Sequence, residues 1–133
     1  MKSHFILYVS DQERSTRFYE SVLARKATLD VPGMTEFRLS DSSTLGLMPS
    51  RGIKELLGDK LPDPSTAQGI PRCELYLIVD HPEEYHARAL EYGATELSKM
   101  KVRDWGHEVA YSLDRDGHVI AFAKTSGNPG SAE

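Results

Sequence analysis

The chain has very little cysteine and no long hydrophobic run, and each shortage narrows its class. Cys73 is the single cysteine among 133 residues, so an internal disulfide cannot form. That count suits a reducing compartment, and we expect a cytoplasmic protein. No apolar run approaches the roughly 18 residues that a membrane-spanning helix requires. Residues 1–4 lead directly into a strand pattern, so we expect no signal peptide.

An excess of positive charge is also lacking. The chain has 16 lysines and arginines against 20 aspartates and glutamates, which gives a formal net charge of −4. This balance offers no broad attraction to a phosphate backbone, so we expect no nucleic-acid partner. Apolar residues make up 39% and charged residues 27% of the chain, as in an ordinary globular protein. The length suffices for one compact domain with its own core, or for two small modules that share one.

A weak internal repeat is the most informative pattern that is present. One strand pattern starts at His4, and a second starts at Glu74, 70 residues later. Each runs into a helix pattern after about seven residues. Both strands open with a side chain that can hold a proton or a metal ion. Because a chain of two similar halves usually carries its site where the halves face each other, these matched positions are the first candidates for chemistry.

Each half of the chain predicts a βαβββ module, so the predicted fold class is α+β. Strands of period two and helices of period 3.6 follow the same order in both halves. A helix begins after Asp80 and ends before Gly93, which is a typical stop residue. Predicted strands cover residues 4–9, 27–30, 35–39, 44–48, 74–79, 96–100, 108–113 and 119–123. The predicted organisation is module one at 1–48, a connector at 49–71, module two at 72–124 and a tail at 125–133.

The connector has a mixed pattern. Residues 53–57 predict one or two helical turns, whereas Pro62 and Pro64 cannot continue a helix because proline lacks the amide donor. The segment is long enough to fold over the mouth of a site. A plain linker between modules fits the same pattern.

Three motifs, in order, resemble the vicinal oxygen chelate superfamily, which includes glyoxalase I, bleomycin and fosfomycin resistance proteins, and extradiol dioxygenases. Residues 9–23 resemble its opening motif, with Val9-Ser10-Asp11 before Phe18-Tyr19. Residues 114–120 resemble its closing Asp-Pro-Asp-Gly-Asn motif, with Arg115 for proline and His118 for asparagine. Trp105-Gly106 resembles a pair found in bleomycin-resistance-like members. The resemblance implies a single domain, an eight-stranded open cup around a ligand, and a homodimer.

The same resemblance implies metal-ligand positions that are only half filled. Metal-using members place one ligand on the first strand and one on the last strand of each module. Those positions are His4 and Glu74 on the first strands, and Gly46 and Ala121 on the last strands. Gly46 and Ala121 have no donor atoms, and a tight divalent site usually needs three protein ligands. We therefore expect no metal cofactor, although His4 and Glu74 leave a divalent ion possible.

Other roles are open for the donor residues. His4 and Glu74 would form a His–carboxylate pair across the module interface that acts as a general base without metal. Alternatively, His4 is only a partly exposed residue at a strand start. We interpret His107 and His118 as surface histidines and Glu108 as a solvated carboxylate.

The small residues at the last-strand positions predict open space on the concave face, lined by apolar and aromatic groups. Such a lining, with few polar anchors, suits a small organic ligand. Trp105 would add a stacking surface, or would cap its own hairpin. The tyrosines and the methionine would otherwise be core residues. The predicted ligand-binding residues are His4, Tyr8, Met48, Glu74, Tyr76 and Trp105, and no catalytic residue follows from these patterns.

Our leading interpretation is a small-molecule-binding protein of this superfamily with a degenerate metal site, closest to the bleomycin-resistance-like branch. The alternative is a metal-dependent lyase or isomerase resembling glyoxalase I, in which the metal polarises a substrate oxygen. A third interpretation is an interaction domain without a small ligand, which requires that the cup be packed solid.

Overall fold

The structure is a computed structural model that describes residues 1–126. The first half contains β1 (Ser3–Val9), α1 (Gln12–Leu23), β2 (Leu29–Val31), β3 (Met34–Arg38) and β4 (Ser43–Pro49). The connector contains α2 (Ser50–Leu57) and two short 3-10 turns, Gly58–Lys60 and Pro64–Ala67. The second half contains β5 (Glu74–Ile78), α3 (Pro82–Glu91), β6 (Thr95–Val102), β7 (His107–Leu113) and β8 (Val119–Thr125). The predicted α+β class with two βαβββ modules is confirmed.

The chain divides into two compact units, each with one open four-stranded sheet. The first unit is Met1–Gln68 and the second begins at Gly69. The strand orders are β1-β4-β3-β2 and β5-β8-β7-β6. In each sheet the first and last strands of the module pair in parallel, and the other pairs are antiparallel. β1 and β5 therefore hold equivalent places in their own sheets. The arrangement of both sheets as one eight-stranded open cup and the module boundaries stay predictions.

In the first unit, α1 covers one face of the sheet because its apolar residues recur at helical spacing. Tyr19, Val22 and Leu23 are buried on this helix. The sheet presents Leu7 and Phe37 to the same layer, and both side chains are almost fully buried. Residues that alternate with these on β1, including Ile6 and Tyr8, lie on the opposite and more exposed face.

The second unit has the same layering. Pro82 begins α3, where its missing N–H costs nothing. Tyr85 of this helix packs against Phe122 of β8, with ring centroids 5.3 Å apart. Leu75 on β5 is also buried, as the predicted alternation requires. The side chains of Glu74, Tyr76 and Ile78 therefore lie on the sheet face away from α3.

The connector is folded onto the first unit. α2 packs against β1 and β4, and Ile53 is its buried residue. Lys54 fixes the end of the helix, since its Nζ donates to the carbonyl oxygens of Gly58 at 3.1 Å and Leu61 at 2.6 Å. Among the described helices, none is long and apolar enough to cross a membrane.

The C-terminal strand is slightly longer than predicted. β8 reaches Thr125, and Ser126 donates its backbone N–H to the carbonyl of Gly106. The rest of the predicted tail, residues 127–133, lies outside the described residues.

Candidate functional site

Four side chains gather on the face of the second sheet away from α3. We call them the Tyr76 cluster: Tyr76 from β5, His107 and Tyr111 from β7, and Trp105 from the loop between β6 and β7. Tyr76 and Tyr111 are both register partners of Ala121 on β8, which lies between their strands. Both rings pack against a buried floor of small residues, namely Val109, Ala121 and Ala123.

The Tyr76 hydroxyl is the polar centre of this cluster. Trp105 donates its Nε1–H to the Tyr76 oxygen at 2.9 Å, since an indole nitrogen can only donate. The same oxygen lies 2.7 Å from Nδ1 of His107. The rings of Tyr76 and His107 are tilted by 36° with centroids 5.8 Å apart. Two hydrogen bonds thus hold three side chains in place, while Trp105 stays 49% exposed.

Charged groups flank the cluster. Glu74 lies exposed at the start of β5. Burial, followed by the negative charge of Glu74, raises the pKa of Tyr111 above its ordinary value of 10.0. Arg103 acts in the opposite direction and lies over the Tyr111 ring, 5.1 Å from its centroid. Glu74 precedes Tyr76 by two residues on β5, so the carboxylate and the aromatic cluster lie on the same face of the sheet.

Arg103 also has a structural role. Its Nη2 donates to three acceptors on β6 and β7, at distances from 2.8 to 3.0 Å. These bonds join the strands where the β6–β7 register is irregular. Arg103 is the first residue of the loop that contains Trp105. Its bonds to both strands therefore hold that loop in place. The acceptors are Ser98 Oγ, the Lys99 carbonyl and the Val109 carbonyl.

On the first sheet, His4 has the position that matches Glu74, and the carboxylate beside it belongs to Glu36. His4 Nδ1 is 3.6 Å from Glu36 Oε2, and the imidazole is 49% exposed. Further along the same face, Tyr8 and Met48 are register partners on β1 and β4. The first unit therefore presents His4, Tyr8 and Met48 on one face of its own sheet.

The space predicted over Gly46 and Ala121 is filled. A Cβ added at Gly46 would lie 3.1 Å from Ile6 Cγ1 and 3.4 Å from Met34 Sδ. Ala121 is fully buried, with Tyr76 and Tyr111 packed against it. The expectation that these small residues leave open volume is therefore wrong at both positions. Gly46 and Ala121 leave room for larger neighbouring side chains to pack against the strands.

Among residues 1–126, the donor side chains within neither unit form a typical divalent metal site. Gly46 and Ala121, at the implied last-strand ligand positions, bring no donor atom. His4 with Glu36 supplies two donor side chains, fewer than the three protein ligands of a typical catalytic site. Within residues 1–126, no group of three or more His, Cys, Asp or Glu side chains is arranged to hold a metal ion.

Tyr76, Trp105 and Glu74, all predicted from the sequence, lie together in the second unit, but the partners that organise them are not among the predicted site residues. His107 was interpreted as a surface residue, whereas it is half-buried and bonded to Tyr76. Tyr111 is absent from the predicted ligand-binding residues. A signal for both was present, because period-two alternation along β7 puts His107 and Tyr111 on the same face.

A separate polar cluster closes the turn between β7 and β8, at the opposite end of β7 from His107. Oδ1 of Asp114 accepts the backbone N–H groups of Asp116 and His118, both at 2.9 Å. Its Oδ2 lies 3.0 Å from Nδ1 of His118, whose side chain is only 14% exposed. The interpretation of His118 as a surface histidine is therefore wrong.

This cluster makes stability depend on pH. Burial lowers the pKa of His118, but the hydrogen bond and charge of Asp114, with the charge of Asp116, outweigh it and raise the pKa above 6.5. A raised folded-state pKa stabilises the fold fully below the unfolded-state value, and this contribution is lost as pH rises through the folded value. We expect the free energy of unfolding, followed by urea titration, to fall over that window relative to His118→Asn. An identical pH profile in both proteins would contradict this.

Known proteins share this fold. The sequence model of the glyoxalase-like domain matches residues 2–125. A glyoxalase-related enzyme from Fulvimarina pelagi is 19% identical with a TM-score of 0.78, over 94% of this chain and 88% of that one. A glyoxalase/bleomycin resistance protein/dioxygenase from Nocardioides is 19% identical with a TM-score of 0.75, over 98% and 87%. A glyoxalase/bleomycin resistance protein from Albidiferax ferrireducens is 23% identical with a TM-score of 0.69, over 92% and 96%.

At these identities the solved structures establish the fold alone. No curated protein matches the chain. The family model, in contrast, extends over both βαβββ modules and includes the opening motif, the Trp105 loop and the closing motif. The chain therefore belongs to the glyoxalase-like domain family of the vicinal oxygen chelate superfamily.

Proposed function

We propose that this protein binds a planar organic molecule at the Tyr76 cluster. One observation carries the proposal: the half-exposed indole of Trp105 is held in a fixed orientation by its hydrogen bond to Tyr76, which also contacts His107. An aromatic plate that is ordered before binding offers a large apolar contact area. It also saves part of the entropy that a mobile side chain would lose on binding.

The residues around the Trp105 indole support the same function. The rings of Tyr76 and Tyr111 cover small buried residues, and a few polar groups stand beside these rings, a mixture that is typical of small-molecule sites. Tyr76 and His107 provide hydrogen bonds, and Glu74 adds a negative charge on the same face. His4, Tyr8 and Met48 remain proposed ligand contacts on the first sheet.

The binding is proposed to occur without a resident metal, since Gly46 and Ala121 supply no ligands. Protein purified without chelators and then dialysed is expected to hold well under one tight divalent ion per chain by elemental analysis. Near-stoichiometric zinc, nickel, manganese or iron would contradict the proposal. A His4→Ala variant that loses such an ion would then identify His4 as a ligand.

The rival function, a metal-dependent lyase or isomerase, needs three protein ligands, and residues 1–126 contain no group of three His, Cys, Asp or Glu side chains arranged to hold an ion. The homodimer and the cytoplasmic location stay predictions.

The single tryptophan makes binding directly measurable, because all tryptophan fluorescence comes from Trp105. We expect planar bicyclic aromatic compounds to change this fluorescence in a saturable manner, and their ring-saturated counterparts to leave it unaltered. Isothermal titration calorimetry would confirm the affinities without an optical signal. Equal responses to the planar and saturated members of each pair would argue against the proposed site.

A further inference from the structure

The hydrogen bonds of the Tyr76 cluster restrict which planar compounds the site accepts, an inference that rests on the proposed function. We infer that the ligand is a planar compound that donates a hydrogen bond from its ring edge, such as a ring N–H, and that His107 determines this specificity. The deciding feature is the tyrosine oxygen that Trp105 and His107 share.

The hydrogen-bonding capacity of the Tyr76 oxygen allows few arrangements of its partners. A phenol has one proton to donate and two lone pairs to accept with. The N–H of Trp105 occupies one lone pair at 2.9 Å. One proton and one lone pair remain, and His107 Nδ1, at 2.7 Å, must take one of them. The proton or lone pair that His107 does not use is the group that Tyr76 offers to a ligand.

A neutral imidazole takes the proton. When the proton of neutral His107 is on Nε2, the bare Nδ1 is a far better base than a phenol oxygen, so Tyr76 donates its hydroxyl to Nδ1. The second lone pair of the oxygen then faces the ligand. Donation to His107 also polarises the oxygen and strengthens it as an acceptor. With neutral His107, the site therefore matches a ligand that donates.

A protonated imidazole reverses this polarity. Both ring nitrogens then carry protons, so Nδ1–H donates to the Tyr76 oxygen and occupies the second lone pair. The hydroxyl proton has only the ligand left to bond with. Protonation of His107 thus converts Tyr76 from an acceptor to a donor, and the same site then matches a ligand that accepts.

The other groups on this face agree with a donating ligand. Glu74 presents a carboxylate, which only accepts when ionised. Nη2 of Arg103 is occupied by three protein acceptors. Tyr111 has a raised pKa and stays neutral, and Asp104 lies exposed in the Trp105 loop. Lys124, the charged residue of β8, lies on the opposite face of the sheet, where it pairs with Glu83 and Glu108.

Two neutral, planar bicyclic probes separate the polarities: indole only donates, and coumarin only accepts. We would measure both dissociation constants by isothermal titration calorimetry at about pH 5.5 and about pH 8.5, the ends of the range in which histidines in proteins commonly change charge. At the higher pH, indole should bind about three- to tenfold more tightly than coumarin. At the lower pH, this ratio should fall by a similar factor. Taking the ratio cancels pH effects that act equally on both probes.

Two variants test whether His107 causes the pH dependence of the indole-to-coumarin ratio. In His107→Ala, the hydroxyl of Tyr76 is free to donate or accept, so the indole-to-coumarin ratio should become independent of pH. His81→Ala is the matched control, because His81 is exposed before α3 and makes no side-chain capping bond. That variant should keep the native pH dependence.

The outcomes distinguish the inference from the proposed function. Failure of both probes to bind at either pH overturns the proposed function and the inference with it. Binding of both with a constant ratio in the native protein overturns the inference alone, as does a pH-dependent ratio that survives in His107→Ala. Nitrogen-15 spectra of the ligand-free protein add a test that needs no variant: a protonated Nδ1 on His107 at about pH 8.5 would also overturn it.

Discussion

Gly117→Ala is expected to lower the free energy of unfolding of the second unit by about 2–5 kcal/mol. Gly117 has φ +92°, a conformation that a residue with a Cβ adopts only with strain. A methyl group there would also collide with the backbone of Gly69, including its carbonyl oxygen. Backbone atoms cannot move aside by a side-chain rotation, so the strain and the collision add. Urea titration followed by Trp105 fluorescence measures the loss within the same unit.

Gly69→Ala is the matched control for this prediction. Gly69 also has a positive φ, +77°, but a Cβ added there meets nothing within 4 Å. This variant should lose only the cost of the left-handed backbone, about 1–2 kcal/mol. The difference between the two variants then isolates the collision. Equal losses would show that the backbones at residues 69 and 117 are not in contact.

This pair of glycines shows where prediction from the sequence ends. The closing motif around Asp116-Gly117 predicts a tight turn, and the structure confirms it between β7 and β8. Turn chemistry depends on neighbouring residues, so it can be foreseen from local sequence. The contact with Gly69 depends on where a segment 48 residues earlier in the chain passes. No local pattern encodes that path.

The strands were predictable for a similar reason. Along β5, Leu75 is buried, while Glu74 and Tyr76 lie on the other face of the strand, as alternation requires. The same rule assigned His4 and Tyr8 to one face of β1. Period-two alternation is a property of a strand's own backbone, so it survives whatever the strand packs against.

The site was less predictable because alternation gives the face of a side chain but not its partner. Tyr76 and Trp105 were both candidates, yet their bond joins residues 29 positions apart and depends on the β5–β8–β7 register together with the loop that Arg103 fixes. Ala121 shows the same limit. Its small side chain predicted a cavity, but the register sets Tyr76 and Tyr111 beside it, and their rings pack against it.

Trp105→Ala is expected to weaken the binding of indole by about tenfold or more, which corresponds to about 1.4 kcal/mol. The change removes the half-exposed aromatic plate and leaves the buried floor beneath Tyr76 in place. Because Trp105 is the only tryptophan, calorimetry must measure the affinity and circular dichroism the stability. Tyr92→Ala is the control, since Tyr92 is 47% exposed, close to the 49% of Trp105, but lies at the end of α3.

Trp105→Phe separates the aromatic surface from the hydrogen bond. Phenylalanine keeps much of the stacking area but cannot donate to Tyr76. If stacking dominates, its affinity for indole should lie within about threefold of the native protein, because a net hydrogen bond contributes roughly 0.5–1.5 kcal/mol. An affinity as low as that of Trp105→Ala would mean that the N–H of the Trp105 side chain, by fixing Tyr76, contributes more to binding than the area of its ring. Native affinity in Trp105→Ala, with Tyr92→Ala also unchanged, would exclude the Tyr76 cluster as the binding site.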